Sequence, residues 1–120
     1  MTKSPFDSYN AESAIRFCES ALKQGYKITQ VFFYQAGVHN ASFLQQPNSD
    51  EFSVYEAWLK LNKRYGLRLN VCSTAAARRG IVNNELAIDG HFNVQAPFEQ
   101  VGLSDYFANL SNDTTINLQF

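Results

Sequence analysis

Two thiols, two imidazoles and a pair of adjacent guanidinium groups are the side chains in this sequence best suited to chemistry. Cys72 ends the mostly apolar stretch Leu67-Arg68-Leu69-Asn70-Val71-Cys72, which predicts a short strand. Directly after it, Ser73 and Thr74 can cap a short helix over Ala75-Ala76-Ala77-Arg78-Arg79 that stops at Gly80. Unpaired N–H groups at a helix start favour an anion, so a thiolate placed there is stabilised. Arg78 and Arg79 follow within two turns and add positive potential. Position alone leaves two readings open: a nucleophilic sulfur, or an inert cysteine closing a core strand. The arginines likewise read equally as cations at the favourable end of a solvated helix.

Cys18 has a plainer setting. Ala14, Ile15, Cys18, Ala21 and Leu22 recur at helical spacing, so this thiol falls in an apolar stripe and reads as a small buried hydrophobe. His39 and His91 sit in polar stretches and read as surface residues. Two thiols more than fifty residues apart make neither a disulfide framework nor a zinc pattern, and no metal or cofactor is expected. No Ser-His-Asp order, glycine-rich phosphate loop or paired-carboxylate spacing emerges.

The elements that must position these groups alternate between helix and strand. A helix is predicted from about Asn10, its N-cap, to Gln24. Glu12/Arg16 and Glu19/Lys23 form outward i,i+4 pairs, and Gly25 suits the left-handed position past its end. Lys27–Tyr34 reads as a strand whose second half, Val31-Phe32-Phe33-Tyr34, is apolar enough for burial on both faces. Gln35–Asp50, with Gly37, Asn40, Pro47, Asn48 and Ser49, reads as a long loop at the carboxyl end of that strand, where open α/β sheets hold their sites. A helix is expected from Glu51 to Tyr65, capped by Ser49 or Asp50, with Phe52, Tyr55, Trp58, Leu59 and Leu61 on its apolar side. Later signals are weaker: a helical turn around Asn84–Ile88, a helix over Gly102–Leu110 introduced by Pro97-Phe98-Glu99, and a closing strand over Thr115–Phe120.

The sum is a three-layer α/β domain over residues 1–120 with a mainly parallel sheet flanked by helices. A chain of 120 residues, 45% hydrophobic and 18% charged, has the length and composition of one globular unit. A net charge of −1 argues against direct nucleic-acid or anionic-lipid binding, which clustered Lys and Arg normally support. No apolar run is long enough to span a bilayer, and Met1–Phe6 lacks the apolar stretch of a secretory signal, so a cytoplasmic protein is expected.

Three ordered segments carry a family resemblance. They are Val31-Phe32-Phe33-Tyr34-Gln35-Ala36-Gly37-Val38-His39-Asn40-Ala41, the Pro47–Phe52 approach to the helix bearing Trp58, and Asn70-Val71-Cys72-Ser73-Thr74-Ala75-Ala76-Ala77-Arg78-Arg79-Gly80-Ile81-Val82. With a similar tail from Gly102-Leu103 onward, the chain from about residue 5 to 120 resembles the DsrE/TusD family, its TusD-like branch above all.

The resemblance implies a sulfurtransferase acting in a sulfur relay, with a persulfide held on the cysteine that matches Cys72. It implies assembly with TusB- and TusC-like subunits into a heterohexamer of two copies each. It implies a TusA-like sulfur donor and a TusE-like acceptor, and an end use in 2-thiolation of the tRNA wobble uridine. Alternatives within the resemblance are a DsrE-type role in oxidative sulfur metabolism and a non-catalytic interaction subunit. Family members begin with a few-residue apolar strand before the segment matching Ser4–Ser8. That strand is missing or truncated here.

A persulfide carrier needs one reactive sulfur rather than a Cys-x-x-Cys pair, since the outer sulfur leaves by attack of the next thiolate. Cys72 is therefore expected to be accessible at the carboxyl edge of the sheet. An obligate partner of related subunits is expected to expose apolar surface.

Overall fold

Three short strands run parallel in one open sheet: β1 is Val31–Phe33, β2 is Leu69–Cys72 and β3 is Phe98–Val101, ordered β1-β2-β3. The computed structural model describes residues 1–110 and 114–120. All residues of β1 and β2 are buried, as the apolar runs require of strands covered on both faces. Successive strand residues point to opposite faces, and the aromatic contacts show what covers each. Phe33 meets Trp58 edge-to-face at 5.3 Å between ring centroids, while Phe32 stacks on Tyr106 at 4.5 Å. Trp58 belongs to α2 (Val54–Tyr65) and Tyr106 to α4 (Leu103–Leu110). Helix, sheet and helix thus form the expected three layers.

α1 (Asn10–Lys23) packs beside α2 and buries Ala11, Ala14, Ile15 and Cys18. Both outward pairs form, Arg16–Glu12 at 2.6 Å and Lys23–Glu19 at 2.9 Å. They are solvent-exposed, so each adds only a few tenths of a kcal/mol. Burial of the apolar stripe holds this helix. Its cap is not Asn10, which is the first helical residue; the Ser8 hydroxyl accepts from the Asn10 N–H at 3.4 Å.

α2 starts later than the sequence suggests. Ser53, not Ser49 or Asp50, caps it by accepting from the Glu56 N–H at 3.4 Å. Phe52 consequently lies outside the helix and exposed. Gly66 (φ +66) ends α2 in the left-handed conformation and its N–H donates to the Asn62 carbonyl at 2.7 Å.

Three further expectations are corrected. The long loop after β1 begins as a 3-10 helix, η1 (Gln35–Ala41), with Gly37, Val38, Asn40 and Ala41 buried. Its apolar Val38 and Ala41 face the core, so half of the supposed loop is packed structure. The lead-in around Pro97-Phe98-Glu99 belongs to β3, whose adjacent Glu99 and Gln100 hide the strand pattern. Thr115–Phe120 forms no strand; it makes contact with the rest through the Phe120 carbonyl, which accepts from the Thr2 N–H at 2.7 Å. Met1 and Thr2 themselves lie along β1. The Met1 ammonium donates to the Phe32 carbonyl, and the Tyr34 N–H donates to the Met1 carbonyl, both at 3.0 Å. The short turn predicted near Asn84–Ile88 is a 3-10 helix over Asn84–Leu86.

Candidate functional site

Parallel strands bring like ends together, and the register states which residues meet. Phe33 pairs with Val71, and Cys72 pairs with Val101. One step further along, Tyr34-Gln35, Cys72 and Gly102-Leu103 leave the sheet side by side. A cavity of about 430 Å³ opens at this junction, lined by Tyr34, Gln35 and Leu103 together with Cys72, Thr74, Ala75, Arg78 and Arg79. It lies at the carboxyl edge of an open α/β sheet, where such folds place ligands.

Cys72 is the last residue of β2 and the N-cap position of α3 (Ser73–Ala77). Its side chain is only 1% exposed, which corrects the expectation of an accessible thiol. Cys72 is one of the residues lining the cavity, so a reacting group must enter the cavity to reach it. α3 has five residues, so few peptide dipoles align behind the sulfur. The arginines are the stronger source of positive potential, and no carboxylate lines the cavity.

Arg78 and Arg79 differ in their engagement. Arg79 Nη1 donates to the Ala75 carbonyl at 3.3 Å, tying that side chain to the helix it follows. The Arg78 guanidinium makes no hydrogen bond or ion pair among the described residues, and the residue is exposed. Gly80 (φ +66) then turns the chain away.

η1, whose first residue Gln35 lines the cavity, is held in place by Asn40, which is fully buried. Its side-chain amide donates to the Lys3 carbonyl at 3.1 Å and the Gly37 carbonyl at 2.8 Å. Its Oδ1 accepts from Trp58 Nε1 at 3.2 Å. One side chain thereby joins the amino-terminal segment, η1 and α2. Gly37 sits so close to Met1 that a Cβ there would collide with the Met1 carbonyl.

The other candidates lie elsewhere. Cys18 is buried on α1, and burial pushes its thiol up to about 11. His39 is half-buried beside a second, shallower cavity of about 390 Å³ with Pro5, Phe6, Asp7 and Leu44, away from Cys72. His91 is exposed. Sequence reasoning missed Gln35 and Leu103 as lining residues and read Tyr34 only as core. The signal for all three was their place just after a parallel strand.

The fold and site define an open parallel α/β domain with one cysteine at a strand end, facing a cationic cavity. The DsrE/DsrF-like family model matches residues 1–118, and the chain belongs to that family. It is 42% identical over 83 residues to "Sulfurtransferase TusD" of Salmonella newport (strain SL254), and equally to that of Salmonella heidelberg (strain SL476). Each match takes in 69% of this chain and 65% of the relative, so the chain spans less than two thirds of the length of those curated relatives. The crystal structure of the ychN protein from E. coli superimposes with a TM-score of 0.70, covering 94% of this chain and 96% of that one at 17% identity. That likeness supports the fold.

Proposed function

We propose that this chain is a sulfurtransferase subunit that carries sulfur as a persulfide on Cys72. The observation that carries the reading is the placement of Cys72 in the lining of a cavity with two arginines and no carboxylate. The donor's persulfide is attacked on its outer sulfur by the Cys72 thiolate. A new S–S bond forms, the donor's S–S bond breaks, and the donor leaves as a thiolate with the electron pair. The Arg78 guanidinium, without a partner of its own among the described residues, is available to hold the negative charge that remains on the loaded sulfur. Cys18 takes no part, because burial keeps its thiol protonated and it lines no cavity among the described residues that a donor could enter.

The names of the TusD relatives support a place in a sulfur relay. In that relay the chain assembles with TusB- and TusC-like subunits into a heterohexamer in the cytoplasm. It receives sulfur from a TusA-like donor and yields it to a TusE-like acceptor for 2-thiolation of tRNA. Among the described residues no helix is long and apolar enough to cross a bilayer.

The test is intact mass after incubation with a cysteine desulfurase, cysteine and a TusA-like carrier. The wild type is expected to gain sulfur, Cys18→Ser to gain it equally, and Cys72→Ser to fold and gain none. Sulfur found on Cys18, or undiminished loading of Cys72→Ser, would refute the assignment.

A further inference from the structure

The chain leaves β1 through a backbone conformation that its residue disfavours. Gln35 has φ +54, in the left-handed region where a Cβ crowds the following carbonyl and glycine is the usual occupant. Four other turns of this hand are built on glycine, at Gly25, Gly66, Gly80 and Gly90, and the last of them also uses Asp89. Aspartate has a short side chain that tolerates the conformation. Glutamine has no such advantage, so the turn alone would be better served by glycine.

What glycine lacks is the side chain, and Gln35 is one of the residues lining the cavity with Cys72 and Arg78. Its amide makes no hydrogen bond among the described residues, so its two donors remain for solvent or a ligand. An unfavourable backbone kept beside a reactive sulfur is the pattern in which strain and function coincide.

We infer that the Gln35 amide holds the sulfur carried by Cys72, its N–H donating to the outer, anionic atom of the persulfide. The inference rests on Cys72 being the sulfur acceptor. Loading places that atom about 2 Å beyond the cysteine sulfur, inside the cavity. The negative charge moves with it, away from the backbone around Cys72 and toward the groups lining the walls. Arg79 is tied to the Ala75 carbonyl. Arg78 supplies charge, and Gln35 supplies a neutral donor on the neighbouring strand end.

The experiment uses the full chain and glutathione persulfide as donor, reading the rate of mass gain and the melting temperature in parallel. Gln35→Gly is expected to melt a few degrees higher, because the turn relaxes. The same variant is expected to load about tenfold more slowly, the loss of one hydrogen bond to a charged group. Gln35→Asn keeps an amide and tolerates the left-handed turn, and it should restore loading to within about threefold of wild type. A purely structural residue cannot give higher stability with slower loading. Loading of Gln35→Gly on Cys72 at the wild-type rate, or a lowered melting temperature, overturns the inference while leaving Cys72 as the carrier. Loading of Cys72→Ser at the wild-type rate removes the carrier and this inference with it.

Discussion

Cys18 and Cys72 have the same functional group in different settings, and Cys18 makes stability depend on pH. Its thiol is raised from 9.0 to about 11, chiefly by burial. Unfolding lets the group ionise at its ordinary value, so between pH 9 and 11 the unfolded chain holds fewer protons than the folded one. The contribution is complete below pH 9 and is lost as pH rises toward 11, a total on the order of 2–3 kcal/mol. Urea unfolding of the wild type should therefore weaken across that window more steeply than that of Cys18→Ala. Equal slopes in the two proteins would show that the thiol ionises alike in both states. At Cys72 the comparison is kinetic. Iodoacetamide should modify Cys72 first in the folded protein at neutral pH, with Cys18 reacting only after denaturant is added; peptide mapping reads the order.

Among the elements, η1 is the one on which the site wall depends, and Asn40 is what secures it. Asn40→Ala would leave the Trp58 indole N–H and the Lys3 and Gly37 carbonyls without their buried partner, at a cost of about 3 kcal/mol. The urea midpoint should fall accordingly, whereas Ser53→Ala, which removes only the cap of α2, should cost about 1 kcal/mol. α1, α2, β2 and the Cys72 junction were legible because apolar period, glycine stops and a cationic pair all agree there. η1 was not, because its run of Gly, Val, His and Asn has no clear period, and its stability comes from bonds to residues distant in sequence. β3 was hidden for a similar reason: Glu99 and Gln100 break its apolar run, and pairing with β2 decides its state. Cys72 and the arginines were legible as candidates; the cavity between them required the register.

The whole molecule exposes large apolar side chains on several elements. Tyr9 is 85% and Ile88 78% exposed, and Phe6, Tyr26, Leu86 and Phe107 are also open to solvent. Isolated exposed residues of this kind are ordinary, but several together favour association. The chain expressed alone should self-associate, as size-exclusion chromatography with light scattering would report. Co-expression with the TusB- and TusC-like subunits proposed above should replace those aggregates by one discrete assembly. A stable monomer that ignores those subunits would speak against the proposed complex.

The depth of Cys72 also governs leakage. A cargo sulfur on an exposed cysteine would be stripped by whichever thiol diffuses past. On a buried residue that lines a cavity with Arg78 and Arg79, only a reductant slim enough to enter can discharge it. A persulfide loaded on Cys72 should therefore outlast one on an unfolded peptide of the same sequence when both face glutathione, and the two lifetimes should converge once denaturant opens the fold. Burial that slows loading thus also insulates the sulfur in transit, so that release is timed by docking of the acceptor rather than by the thiol concentration around it.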